Sequence, residues 1–132
     1  MAMIALMMIG PGSVAAASSS FHLEILSNSC TDGYLSSRIK AVAGGGTSAN
    51  ELEVGIAIQR LRCGHWRTIN GSVGFDSKEF AEDRTRHHLT EGNSLQVDPG
   101  RTYRIFYSFA AFHDDTELWE VTVDSLACSA PA

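Results

Sequence analysis

Two stretches of this chain carry an apolar residue at every second position. The apolar residues of the first stretch are Leu52, Val54, Ile56 and Ile58. Successive side chains of a β-strand point to opposite faces, so this spacing predicts a strand with one face buried and the other in water. The chain then turns at Cys63-Gly64-His65 and returns through Trp66. We expect a β-hairpin here, with Trp66 as the central aromatic ring of the core, packed on residues 54–58 and on Tyr103 or Ile105.

The second stretch belongs to a series of short apolar runs separated by turn residues. Tyr103, Ile105, Tyr107 and Phe109 alternate with the residues between them, and shorter runs lie at 21–25, 35–43, 73–75, 95–97 and 119–123. Turns are expected at 44–46, Asn70-Gly71, Gly92-Asn93, 98–100 and 113–115, because these are rich in glycine, proline, asparagine and aspartate. In 77–91 the pattern is weakest, and we expect a loop followed by an exposed edge strand at 84–89. The series predicts an all-β chain, a single antiparallel two-sheet β-sandwich of about seven to eight short strands.

The first seventeen residues have the character of a signal peptide. Residues 1–9 are apolar and uncharged, 10–12 break the run, and Ala15 and Ala17 match the small-residue pattern of a cleavage site, although no Lys or Arg precedes the run. We predict export and cleavage after Ala17; an apolar N-terminal tail is the alternative. The run is shorter than the ~20 residues that span a bilayer, so no membrane insertion of the mature chain is expected. The remainder divides into an N-terminal segment with one short strand (18–33), the β-sandwich (34–126) and a C-terminal tail (127–132).

The charge of the chain bears on its partners. The formal net charge is −5, and an acidic protein repels phosphate unless its basic residues form a separate face. The basic candidates are Arg60, Arg62 and Arg67 near the hairpin tip and Lys78, Arg84 and Arg86 further on. Acidic residues are interleaved with them in sequence, as on the mixed surface of an ordinary soluble domain. The sequence therefore predicts no nucleic-acid partner.

Three cysteines in an exported chain indicate one disulfide and one remaining thiol. The pairings are Cys30–Cys128, Cys30–Cys63 and Cys63–Cys128. Cys30 lies where the folded region begins and Cys128 where it ends, and domain termini are often close together. This position favours a disulfide between Cys30 and Cys128, which leaves Cys63 free at the hairpin tip.

Two motifs of the chain resemble a known group of proteins. The first is Ile56-Ala57-Ile58-Gln59-Arg60 followed by residues 64–69, which contain Gly64 and Trp66; the second is Gly100-x-Thr102-Tyr103-Arg104-Ile105. Over residues 30–125 the chain resembles small secreted proteins of Gram-positive bacteria that are largely uncharacterised. The resemblance implies a two-sheet β-sandwich and gives no catalytic residues. The segment 77–88 is more charged than its counterpart in those proteins.

Few residues of the chain suggest catalysis or metal binding. His113, Asp115 and Glu117 would share one side of an extended segment, where nitrogen and oxygen ligands suit a divalent cation. A solvated turn between two strands is the alternative interpretation, and we favour it. His87 and His88 would point to opposite faces of a strand. No catalytic residue, cofactor or metal ligand is therefore predicted.

These observations favour a secreted, non-catalytic binding or structural module that acts on an unknown extracellular protein or glycan. One alternative is an inhibitor or toxin-like partner of another secreted protein, with the segment 77–88 as its recognition loop. A small metal-dependent hydrolase that uses His113, Asp115 and Glu117 is the other.

Overall fold

Ten β-strands in two antiparallel sheets make up the structure, a computed structural model that describes residues 14–31, 33–81, 86–125 and 128–129. The strands are β1 (Val14–Ala17), β2 (Phe21–Thr31), β3 (Tyr34–Ala43), β4 (Glu51–Arg62), β5 (His65–Thr68), β6 (Gly74–Glu79), β7 (His87–Gln96), β8 (Thr102–His113), β9 (Thr116–Asp124) and β10 (Cys128–Ser129). The predicted β-sandwich is confirmed. The described residues hold more strands than the seven or eight expected, since β1 and β10 are short strands in segments where none was expected.

The first sheet has the order β1-β2-β3-β7. In the second sheet β4 and β8 form the central pair, and each has two strands along its outer edge. β5 and β6 share the outer edge of β4, while β9 and β10 share the outer edge of β8.

The core lies between the two sheets and is formed by alternating residues, as predicted. From the second sheet it takes Leu52, Val54, Ile56, Ile58, Tyr103, Ile105, Tyr107 and Phe109, and from the first sheet Phe21, Leu23, Ile25, Leu35, Ile39 and Ala41. The even-numbered residues of β4 and the odd-numbered residues of β8 face inward because partners in an antiparallel pair share a face.

The prediction that Trp66 lies at the centre of the core is wrong. Cys63 and Gly64 form a two-residue turn, which aligns Trp66 with Leu61. Leu61 is an odd-numbered residue of β4, so Trp66 lies on the outer face of the sheet and is only partly buried. The tryptophan that packs on the core is Trp119 of β9, whose ring centroid is 5.2 Å from that of Phe109 and 5.8 Å from that of Phe21.

A β-bulge between Ile25 and Ser27 brings Cys30 to the inner face. Before the bulge the odd-numbered residues of β2 face the core; after it the inward positions are even-numbered, so Cys30 pairs with the buried Leu35. There it forms the predicted disulfide with Cys128 of β10, at a Cα–Cα distance of 6.6 Å, and so joins the two sheets. Cys63 is free and exposed, as expected.

Three details of the strand pattern differ from the expectation. The expected edge strand at 84–89 corresponds to the start of β7, which lies at the edge of the first sheet but continues to Gln96; residues 82–85 are outside the described residues. Gly92-Asn93 does not end this strand, because both residues pair with β3. Asn70-Gly71 is a turn, but β5 and β6 do not pair with each other across it, since both use the same edge of β4. The segment 1–17 lies outside the described residues except for 14–17, which form β1.

Candidate functional site

The alternation that buries the apolar residues of β4 also places two arginines at the end of that strand. Even-numbered residues face inward as far as Ile58, and Arg60 and Arg62 continue the same series. Across the two-residue turn, Arg67 of β5 lies directly opposite Arg60. All three side chains therefore extend from the inner face of the sheet, beyond the part of the core that the other sheet covers.

These arginines line a cleft of about 430 Å³ between the β4–β5 hairpin and the end of β7. Leu95 and Gln96 of β7 form part of its other wall. Arg60, Arg62 and Arg101 also line an adjoining concavity of about 370 Å³ at the hairpin tip. We call these four arginines and the two hollows that they line the arginine cleft.

Positive charge in the arginine cleft is only partly neutralised. Arg60 Nη1 lies 3.7 Å from an oxygen of Asp98, whose side chain is 74% exposed. Among the described residues no carboxylate lies within ion-pair distance of Arg62, Arg67 or Arg101. The backbone N–H of Asp98 donates a hydrogen bond of 2.9 Å to the phenol oxygen of Tyr103, which holds the backbone of this residue beside the cleft.

Acidic residues collect at the opposite end of the same strand. Glu51 begins β4, lies opposite Glu79 of β6, and lines a hollow of about 300 Å³ with Asp114 and Asp115. Burial raises the pKa of Glu51, and the neighbouring carboxylates Glu53, Glu79 and Asp115 raise it further. β4 has twelve residues, and eleven steps of ~3.3 Å separate Glu51 from Arg62 by about 36 Å. Positive and negative side chains are thus segregated at opposite ends of β4, although the chain as a whole has a net charge of −5.

His113, Asp115 and Glu117 do not lie on one side of an extended segment, so they do not form the cluster that the sequence offered. Asp114 and Asp115 are the turn between β8 and β9, both with positive φ (46° and 65°). After this turn Glu117 pairs with Phe112 and so lies on the other face from His113. His113 Nδ1 instead lies 2.6 Å from the carbonyl oxygen of Ser48, and the pKa of Glu117 is raised chiefly by a hydrogen bond with Glu120. Within the described residues no group of three His, Cys, Asp or Glu side chains could hold a metal ion.

The remaining residues that the sequence singled out are dispersed. His87 faces inward and stacks on Phe80 at 3.9 Å between ring centroids, whereas His88 is exposed on the other face of β7. Lys78 Nζ lies 3.4 Å from the carbonyl oxygen of His88. Arg86 is exposed just before β7, and Arg84 lies outside the described residues.

Comparison with models of known protein families gave no match to this chain, and no match was found among characterised proteins. In the part of the chain that the structure describes, no helix is long and apolar enough to cross a membrane.

In sequence, Arg60, Arg62 and Arg67 resemble part of a mixed surface, because acidic residues are interleaved with them. The signal that would have separated them from their acidic neighbours is the alternation itself. Glu51 and Glu53 occupy odd positions of β4, whereas Arg60 and Arg62 occupy even ones. The series that begins at Leu52 continues beyond Ile58 through Arg60 and Arg62. A two-residue turn then aligns Arg67 with Arg60, so that three arginines lie on one face. The contributions of Arg101 and β7 depend on the packing of the two sheets, which no local pattern indicates.

Proposed function

We propose that this protein is a secreted, non-catalytic binding module that holds an anionic ligand in the arginine cleft. The observation that carries the proposal is the cross-strand pair of Arg60 and Arg67. Like charges directly opposite each other in a sheet destabilise it. The repulsion between Arg60 and Arg67 is offset only in part, by the exposed carboxylate of Asp98. An uncompensated repulsion of this kind is typical of a site that binds a ligand of opposite charge.

Arginine suits such a ligand. Its guanidinium group is planar and always charged, and it can donate two parallel hydrogen bonds to a carboxylate, sulfate or phosphate. The cleft also has apolar walls in Ile69 and Leu95, against which the uncharged part of a ligand would pack. Pockets that bind ligands combine apolar walls with a few convergent polar groups in this way.

Two features support the secreted part of the proposal. The disulfide between Cys30 and Cys128 fits an oxidising compartment. The apolar residues 1–9 and the alanines before Ser18 fit a cleaved signal peptide. On this view β1, which pairs with β2 in the full chain, is removed on export and leaves β2 as the edge of its sheet.

The test is a titration with two defined anions, hexaglutamate and a sulfated hexasaccharide, at low ionic strength and followed by NMR. We expect one or both to bind and to shift the resonances of residues 60–69 and 95–101. Arg67→Gln should weaken binding about threefold to tenfold, since one pair of opposite charges in a partly exposed site contributes ~0.7–1.4 kcal/mol.

The matched control is Arg38→Gln, which removes the same charge from an exposed position on the outer face of the other sheet. This variant should bind both anions as the parent protein does. If neither anion binds, or if Arg38→Gln and Arg67→Gln weaken binding equally, the proposal is wrong.

A further inference from the structure

One edge of the β4–β5 hairpin has no strand beside it. β5 pairs with β4 along one side, and no strand of the described residues pairs with its other side. An unpaired edge presents N–H and C=O groups to which another extended chain can bind. Since Arg67 lies in the middle of β5 and lines the arginine cleft, this free edge and the cleft adjoin each other.

The alternation of hydrogen bonds identifies which groups face the free edge. A two-residue turn makes Arg62 and His65 the pair that closes the hairpin. Hydrogen-bonded pairs then recur at every second position, which is consistent with the bond of 3.0 Å from the N–H of Ile69 to the carbonyl of Ile58. The residues between them, Trp66 and Thr68, direct their N–H and C=O groups away from β4, toward the free edge.

We infer that the anionic ligand is an acidic segment of another protein, which adds to β5 as an antiparallel strand. This inference rests on the proposed function, because it names the partner of the same cleft. A residue opposite Arg67 would place its side chain on the inner face, where a glutamate meets the guanidinium groups of Arg67 and Arg60. Its two neighbours in the segment would lie on the outer face, one beside the half-buried ring of Trp66, where an apolar side chain fits best.

The arrangement fixes which amides of the segment donate hydrogen bonds. In a strand, the face of the side chain and the edge of the amide alternate with the same period of two. The residues opposite Trp66 and Thr68 therefore donate their N–H groups to β5 and accept from it. The residue opposite Arg67 directs its N–H away from β5. The apolar residues of the segment thus supply the backbone bonds and the acidic residues supply the charge.

The test uses a blocked seven-residue peptide in which valine and glutamate alternate, starting and ending with valine. One version is N-methylated on its valines and a second on its glutamates. Binding of each to the full chain is measured by calorimetry at low ionic strength. We expect the parent peptide to bind, methylation of the valines to weaken it at least tenfold, and methylation of the glutamates to change it less than twofold. Arg67→Gln should weaken binding of the parent peptide about threefold to tenfold, and Arg38→Gln should leave it unchanged.

A different ligand at the cleft or at the free edge of β5 would give different results in these experiments. If both methylated peptides bind like the parent, or if only the one methylated on glutamate loses affinity, strand addition is wrong while the arginine cleft still binds anions. Binding of the sulfated hexasaccharide without the peptide would identify the ligand as a glycan and overturn the inference. A dimer seen by sedimentation and abolished by Arg67→Gln would assign the edge to a second copy of the chain. If no anion binds at all, the proposed function fails together with the inference.

Discussion

The guanidinium carbon of Arg104 lies 4.5 Å from the centroid of the Trp66 ring, on the outer face of the second sheet. Arg104 is held there by Gln59, whose side-chain oxygen accepts a hydrogen bond of 2.8 Å from Nε, and by Asp124 at 3.5 Å from Nη1. A cation over an aromatic ring at a partly exposed site contributes ~0.5–1 kcal/mol. Trp66 therefore stabilises the hairpin from outside the core.

The two tryptophans should differ in their effect on stability. We expect Trp66→Ala to lower the free energy of unfolding by about 1 kcal/mol and Trp119→Ala to lower it by about 3 kcal/mol, because only Trp119 packs on buried rings. Urea denaturation of both variants measures the difference. Equal losses, or a larger loss for Trp66→Ala, would contradict the assignment of Trp119 to the core.

Ser72 takes the place of a strand residue in the gap between β5 and β6. Its hydroxyl oxygen accepts a hydrogen bond of 3.1 Å from the N–H of Ile58 and donates one of 3.0 Å to the carbonyl of Ile58. Ser125 occupies the matching gap between β9 and β10, where it accepts a bond of 2.7 Å from the N–H of Ile105.

Removing the Ser72 hydroxyl should leave a buried N–H of the central strand without its partner. We expect Ser72→Ala to cost ~1–3 kcal/mol in the free energy of unfolding. Ser77→Ala, at an exposed position on β6, is the matched control and should change stability by less than ~0.5 kcal/mol. Equal values for the two variants in thermal or urea unfolding would show that the Ser72 hydroxyl does not replace a backbone partner.

Tyr107 should make the protein less stable at alkaline pH. Burial raises the pKa of its phenol above the ordinary value, although hydrogen bonds with Ser37 and Asn28 lower it in part. Above a pH of about 10 the phenol ionises in the unfolded chain but stays protonated in the folded one, so the unfolded state is favoured as pH rises. The stability that this group supplies is complete below that pH and is lost above it.

We therefore expect the unfolding free energy to fall above a pH of about 10, and to fall less steeply in Tyr107→Phe. Tyr34→Phe, at a residue that is 50% exposed, should keep the slope of the parent protein. Urea denaturation between pH 8 and 11 measures these slopes, and an unchanged slope in Tyr107→Phe would contradict the account.

The disulfide should contribute strongly to stability because it closes a long loop. Cys30 and Cys128 are 98 residues apart in sequence, and closing a loop of that length restrains the unfolded chain by ~4–5 kcal/mol in the loop-entropy model. We expect the double variant Cys30→Ser/Cys128→Ser to lose several kcal/mol, whereas Cys63→Ser should lose less than about 0.5 kcal/mol. Peptide mapping of non-reduced protein checks the pairing itself, and a bridge that contains Cys63 would contradict it.

Local alternation was sufficient to predict the two central strands and the class of fold, because burial on one face imposes a period of two on β4 and β8. It was insufficient wherever the pairing changes that period. The bulge after Ile25 reverses the faces of β2, and the two-residue turn at Cys63-Gly64 moves Trp66 outward. Neither feature has a signature in apolar residues alone. β7 continues through Gly92 because its neighbour β3 supplies a complete set of partners.

The central claim is that Arg60 and Arg67 face each other in order to bind an anion, and one pair of unfolding curves tests it most directly. Thermal unfolding of the parent protein and of Arg67→Gln is measured at low ionic strength, without an anion and with each of hexaglutamate and the sulfated hexasaccharide. Without an anion, we expect Arg67→Gln to be as stable as the parent or more stable by ~0.2–0.5 kcal/mol, since a repulsive pair is removed. With an anion that binds, at about 100 times its dissociation constant for the parent, the parent should gain ~2.7 kcal/mol and the variant ~1.4–2.1 kcal/mol, because the variant binds about threefold to tenfold more weakly. An equal gain in both proteins, or no gain with either anion, would contradict the claim.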